Sequence, residues 1–195
     1  MGILDNIVYV KPSKQDLHMV LEIWRECYPD NTEMELSYLE RIYKYFEDFF
    51  IVARERDTGR VVGAIFGTLW CSMKDYFEDT DKWHTDDNFI EYRSKQGHIF
   101  TTELCCVIPE YRDQGLDESM GVYLHDDWIF GGLGGPNTDK VTHMISYIGP
   151  ELNNMLTRIG WTKVEESVDF PNSIVEYNDP KLGTRVICAW EKLKE

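Results

Sequence analysis

The segment VIPEYRDQGLDESM, Val107 to Met120, joins a β-rich run to a helical one through a turn poor in apolar side chains. A turn that opens a helix presents unpaired backbone N–H groups and the positive end of the helix dipole, and phosphate binds well there. Arg112, Asp113, Gln114, Gly115, Leu116 and Asp117 form this turn and the helix start. Asp117 places a carboxylate where a bound anion would want none. Two unit charges ~4 Å apart repel by ~4 kcal/mol at an effective dielectric of ~20, and solvent at a cleft mouth reduces this. The same acid stabilises the first turn of its own helix by ~0.3–1 kcal/mol. The turn thus reads either as a weakened anion site, with Arg112 compensating, or as an abandoned one in which Asp117 stands in for the anion. Just upstream, Glu103 is a lone acid in the β-rich run HIFTTELCCVI. Glutamate is poor in strands by propensity. A carboxylate facing a cleft from such a strand is suited to accepting a proton, whereas one at a sheet edge or facing solvent needs no such role.

Other constellations carry less. His125, Asp126 and Asp127 are adjacent on a predicted helix, so they fan around it as solvated groups and do not converge on a metal. The five histidines lack HxxxH or HExxH spacing, so no metal site is expected. GGLGGPNT lacks GxGxxG spacing and follows a helix, which argues against a dinucleotide fingerprint. Five cysteines, at 27, 71, 105, 106 and 188, are an odd number without CxxC spacing and read as reduced, mostly buried thiols of a cytoplasmic protein. Strand packing is the better account of Cys105 and Cys106 than nucleophilic chemistry, since no Cys-His-Asp order supports them. Tyr92 and Arg93 are positioned to meet a substrate at the end of an unusual insertion.

The elements that must position these residues follow from periodicity. IVYVKP is a short strand, and Ser13-x-x-Asp16 starts a helix whose apolar stripe is Leu17, Val20, Leu21 and Trp24. Thr32-x-x-Glu35 starts a second, with Leu36, Leu39, Ile42, Tyr43 and Phe46 inward. FFIVARE and VVGAIFGTLW form a hairpin about RDTGR. Residues 71–97 are too long for a hairpin loop and read as an ordered insertion. Between Asp75 and Glu91 it holds seven acids against one lysine, together with Tyr76, Phe77, Trp83 and Phe89. After the strand bearing Glu103, GLDESMGVYLHDDWIF is a helix with Leu116, Met120, Tyr123, Leu124 and Trp128 on one face. KVTHMISYI is a buried strand and PELNNMLTRIG a short helix; TKVEESVDF and TRVICAWEKL are the last two strands. The predicted order is β-α-α-β-β-β-α-β-α-β-β, a mixed α/β sheet in a single domain spanning 1–195.

Composition narrows the partners. With 20 Lys plus Arg against 35 Asp plus Glu, the net charge is −15, which repels nucleic acid and anionic membranes and either favours cationic partners or serves solubility alone. No apolar run reaches the ~20 residues of a membrane span. MGILDNIVYV lacks a basic start and cleavage site, and Asn6 stands where myristoylation wants Ser or Thr, so a cytoplasmic location is expected.

The element order and the run V-I-P-E-Y-R-D-Q-G-L resemble the GNAT superfamily of N-acetyltransferases. The family's V-x-P-x-Y-R-x-x-G-x-G/A signature is met at Val107, Pro109, Tyr111, Arg112 and Gly115, and R-I-G-W resembles its later Gly-Phe pair, with Trp161 for Phe. The resemblance implies a GNAT-like, mostly antiparallel sheet flanked by helices, with acetyl-CoA as co-substrate. It also implies that Arg112 to Asp117 hold the pyrophosphate and that Cys105, Cys106 and Val107 dock the pantetheine. Glu103, directly or through water, would then deprotonate a primary amine on a small molecule or basic peptide. Three departures stand out: Asp117 replaces a Gly or Ala, Leu156 stands where a tyrosine usually protonates the leaving thiolate, and Pro150 falls where an asparagine often meets the CoA arm. These departures support an alternative, a catalytically inactive GNAT-fold protein that binds a partner through its insertion.

Overall fold

The computed structural model describes residues 2–29, 34–72, 76, 93, 96–148, 161–163, 174–179 and 183–192. The predicted helix at 150–160, most of the insertion and the Thr32 cap lie outside them. The chain forms two compact units, one from 1–68 and 103–139, the other from 69–102 and 140–195.

In the first unit, strand β1 (Ile7–Val10) leads to helix α1 (Asp16–Cys27) and helix α2 (Leu36–Phe46). The expected stripe of α1 is buried, with Ile23 added to it. The Asp16 carboxylate takes hydrogen bonds from the Ser13 amide at 2.6 Å and its hydroxyl at 2.7 Å, half of a capping box, and pairs with Arg54. Burial opposes ionisation of Asp16, but these bonds outweigh it and hold the carboxyl below its ordinary value. Helix α2 buries Tyr38, Leu39, Ile42 and Phe46. That stripe centres on Tyr38 and Ile42 and leaves Tyr43, expected inside, at its half-buried margin. α1 packs on α2, and α2 on strand β2.

Strands β2 (Phe50–Glu55) and β3 (Val61–Trp70) form the predicted hairpin. Its turn closes through Gly59 N–H to Glu55 O at 2.9 Å, and the φ of +71° at Gly59 is one that side-chain-bearing residues rarely adopt. β1 and β2 are antiparallel, as are β2 and β3; strand β4 (Ile99–Val107) lies beside β3. Helix α3 then runs as α-helix over Leu116–Val122 and as π-helix over Tyr123–Phe130. The wider π turn changes the inward set. Leu124, His125 and Ile129 are buried, while Tyr123 and Trp128, expected inside, are half-buried. His125 is therefore a core residue, 3% exposed, and not the solvated group its acidic neighbours suggest.

In the second unit, β4 pairs in parallel with β5 (His143–Ile148) over Ile99–Thr101. β8 (Gly183–Lys192) pairs antiparallel with β5, with β6 (Trp161–Lys163) and with β7 (Ile174–Asp179). β7 lies in SIVEYNDPKLG, where the apolar pattern predicts no element. Arg93 is 1% exposed and lies over the Trp70 ring at 5.0 Å, so it is a packing residue here and not the substrate contact its position suggested. No helix among the described residues is long and apolar enough to cross a membrane. The fold is a mixed, mostly antiparallel α/β sheet structure flanked by helices, as expected.

Candidate active site

The turn after β4 is held from several sides. The Ile108 amide donates to Val62 O at 3.0 Å, and the buried Tyr111 hydroxyl donates to Glu55 Oε1 at 2.9 Å. Both tie the turn to the β2–β3 hairpin. Gly115, at φ +77°, precedes the first turn of α3, and a side chain built on it would meet nothing within 4 Å. Asp113 also takes a positive φ, 61°. This left-handed pair folds the backbone so that the first-turn amides of α3 face away from the helix body. α3 is seated by Tyr9, whose hydroxyl donates to Ser119 Oγ at 2.6 Å, and by Met120 packing against Gly63. A Cβ at position 63 would lie 2.8 Å from Met120 Sδ and 3.1 Å from Cys106 O, so only glycine allows this approach.

A cleft of about 380 Å³ opens at this turn. Cys105, Cys106 and Val107 line it from β4, and Arg112, Asp113 and Asp117 from the turn. Six of the nine residues expected to hold a cofactor thus share one wall. Gln114, Gly115 and Leu116 do not line it: Gln114 Nε2 donates to Glu110 O at 2.6 Å, and the Leu116 side chain is fully buried. The Asp117 carboxylate takes no hydrogen bond from another described residue. It does not fill the turn's anion site by bonding, and only its field acts on the helix.

Two cleft residues were not anticipated, Cys27 and Tyr28 at the end of α1. The Tyr28 hydroxyl donates to Cys105 O at 3.4 Å, its ring lies 4.3 Å from that of Trp24, and it is 43% exposed. Cys27 Sγ lies 3.3 Å from Val107 O and 3.3 Å from Arg112 Nη2. Arg112 Nε also donates to Val107 O, at 3.0 Å, so the guanidinium is turned toward the protein more than a purely phosphate-facing arginine would be. Hydrogen bonding with Cys106 does most to lower the Cys27 thiol, burial resists, and Val107 and Arg112 add to the lowering, bringing it to about 6. Cys106 moves the opposite way, pushed well up by its bond to Cys27 and by burial. Burial first, then the nearby Asp117 charge, push Cys105 up to about 12. The expectation of mostly buried cysteines is corrected: of the four whose burial is described, only Cys106 is buried, Cys27 and Cys105 are half-buried, and Cys71 is exposed.

Glu103 lies on the same β4 face as Cys105, two residues away, because strand side chains alternate. Its carboxylate accepts hydrogen bonds from the Tyr38 hydroxyl of α2 and the Thr68 hydroxyl of β3. Both donors are buried, so the carboxylate is oriented by groups that move little.

No family model matches the chain, and no curated protein sequence does. Solved structures do. The loading GNATL domain of CurA from Lyngbya majuscula is similar at TM-score 0.63 and 13% identity, covering 93% of this chain and 96% of that one. A GNAT superfamily phosphinothricin acetyltransferase from Sinorhizobium meliloti, solved in complex with AcCoA, is similar at TM-score 0.59 and 14% identity, covering 96% and 88%. Diaminobutyrate acetyltransferase EctA from Paenibacillus lautus, solved with L-2,4-diaminobutyric acid and coenzyme A, is similar at TM-score 0.56 and 13% identity, covering 97% of each. The chain has the GNAT acetyltransferase fold.

Proposed function

We propose that this protein is an N-acetyltransferase that moves an acetyl group from acetyl-CoA to a primary amine of a small or cationic acceptor. The observation that carries the reading is the shared cleft: β4 residues Cys105–Val107 and turn residues Arg112, Asp113 and Asp117 line one cavity at the start of α3. The donor set fits a diphosphate-bearing thioester. The first-turn amides of α3 suit the diphosphate, and the strand wall suits an extended amide-containing arm. Arg112 contributes positive charge beside the turn, and Asp117 subtracts from it.

Acetyl-CoA supplies an activated acyl group, and the chain's own residues do the rest. The acceptor is held in a ternary complex; its amine would attack the acyl carbon directly, the C–S bond would break, and the CoA thiolate would leave and take its proton from solvent. Glu103 takes the proton released from the attacking nitrogen, directly or through water, in the orientation fixed by Tyr38 and Thr68. The fold of the phosphinothricin and diaminobutyrate acetyltransferases supports small amines as the acceptor class. The acidic insertion, which lies largely outside the described residues, adds a preference for cationic ones.

The test is thiol release from acetyl-CoA with a panel of polyamines, aminosugars and basic peptides. Acetylation is expected, with acceptor KM rising with salt, because exposed charge attraction is screened over ~8 Å at physiological ionic strength. Neutralising Asp79, Asp81, Asp86 and Asp87 together should raise acceptor KM and leave acetyl-CoA affinity alone. A panel that shows neither binding nor acetylation would assign the insertion to a partner protein and the chain to the inactive class.

A further inference from the structure

The wall of the cleft contains a feature that acyl transfer does not use. Cys27, the last residue of α1, and Cys106, in β4, are far apart in sequence, yet Cys27 Sγ sits 3.3 Å from the carbonyl oxygen of Val107, the residue next to Cys106, and both cysteines line the cavity. Cys27 is half-buried and reachable from the cleft, whereas Cys106, though part of the lining, is only 3% exposed. Arg112 Nη2 stands 3.3 Å from the Cys27 sulfur. This is the arrangement a nucleophilic thiol requires: an accessible sulfur, a cation beside it, and a second thiol within reach.

We infer that Cys27 and Cys106 form an oxidisable pair, in which Cys27 attacks a low-molecular-weight disulfide from the cleft and Cys106 resolves the product into a Cys27–Cys106 disulfide. In the first step the Cys27 thiolate displaces one thiolate from the disulfide reagent, leaving a mixed disulfide on Cys27. In the second, the Cys106 sulfur attacks Cys27 Sγ, the second reagent thiolate leaves, and the Cys106 proton passes to it. The two cysteines lose two electrons, and the reagent gains them as two thiols.

The two thiols divide the labour electrostatically. The cluster around Cys27 comprises Cys106, Cys105, Arg112, Asp113, Asp117 and Tyr28. Among the described residues its only cation is Arg112, which touches the sulfur, while the acids show no contact with it. The Cys27 thiol is lowered to about 6 and that of Cys106 is raised, so attack begins at Cys27, the more accessible sulfur. Because α1 ends at Cys27, a bond there joins the end of a helix to a strand without requiring the helix interior to shift. The inference does not depend on acyl transfer, since neither acetyl-CoA nor an amine takes part.

The test uses the full chain and oxidised glutathione at pH 7, followed by intact and peptide mass spectrometry. Wild type should become two hydrogens lighter, with the Cys27 and Cys106 peptides joined and no retained glutathione. Cys106→Ser should stop at a glutathione adduct on Cys27, and Cys27→Ser should form neither product. Because Cys106 is a core residue, the wild-type peptide map stands as an independent readout if that variant folds poorly. Arg112→Gln should slow iodoacetamide alkylation of Cys27 several-fold at pH 7 and far less at pH 9, where the thiol ionises without help. A stable glutathione adduct on wild-type Cys27, or reaction at Cys71 or Cys105 ahead of Cys27, would overturn the pairing.

Discussion

At the residue scale, Glu103 is the position where sequence and structure meet most usefully. Its misfit with strand propensity singles it out in the sequence, and its carboxylate is held by the Tyr38 and Thr68 hydroxyls. Neither partner was legible, because both contacts cross between elements distant in sequence. The same limit hid Cys27 and Tyr28. Their spacing carries no motif, and only the way α1 ends against β4 brings them to the cleft. Glu103→Gln is nearly isosteric and should fold as wild type while lowering turnover by roughly a hundredfold, the scale of acid–base catalysis. Unchanged turnover in a folded variant would leave Glu103 as a structural hydrogen-bond acceptor.

At the element scale, the turn between β4 and α3 decides how well an anion is held. Gly115 at φ +77° and the first-turn amides favour it, while Asp117, exposed and unbonded, opposes it through its charge. Asp117→Gly should therefore tighten acetyl-CoA. It should also lower Tm without ligand, since losing a helix-terminal charge and gaining backbone freedom each cost up to ~1 kcal/mol. Thermal melts with and without acetyl-CoA check both signs: the variant should start lower and gain more on adding ligand. A variant with an unchanged ligand-induced gain would mean that Asp117 does not act on the bound anion. The helices and the hairpin were legible because their apolar periods are strong. The π segment at Tyr123–Phe130 was not, since a change of helical period leaves the apolar spacing only slightly altered while it rotates His125 inward. Strand β7 was missed because its alternation is short and interrupted by acids, and its pairing with β8 is long-range.

At the scale of the whole molecule, element order was readable because each strand and helix carries its own local signal, whereas the two-unit division arises from contacts that no local pattern encodes. The net charge of −15 makes the molecule a poor general host for anions, so an anionic co-substrate must be captured by local geometry at the turn. Binding of acetyl-CoA is therefore the claim on which the acyltransferase reading stands. Calorimetric titration of acetyl-CoA into the wild-type protein tests it most directly, with Arg112→Glu as the matched comparison. Saturable one-site binding that weakens with salt in wild type, and is lost in Arg112→Glu, is the predicted result. The absence of binding heat or of a ligand-induced rise in Tm in wild type would contradict it and leave a GNAT fold used for assembly.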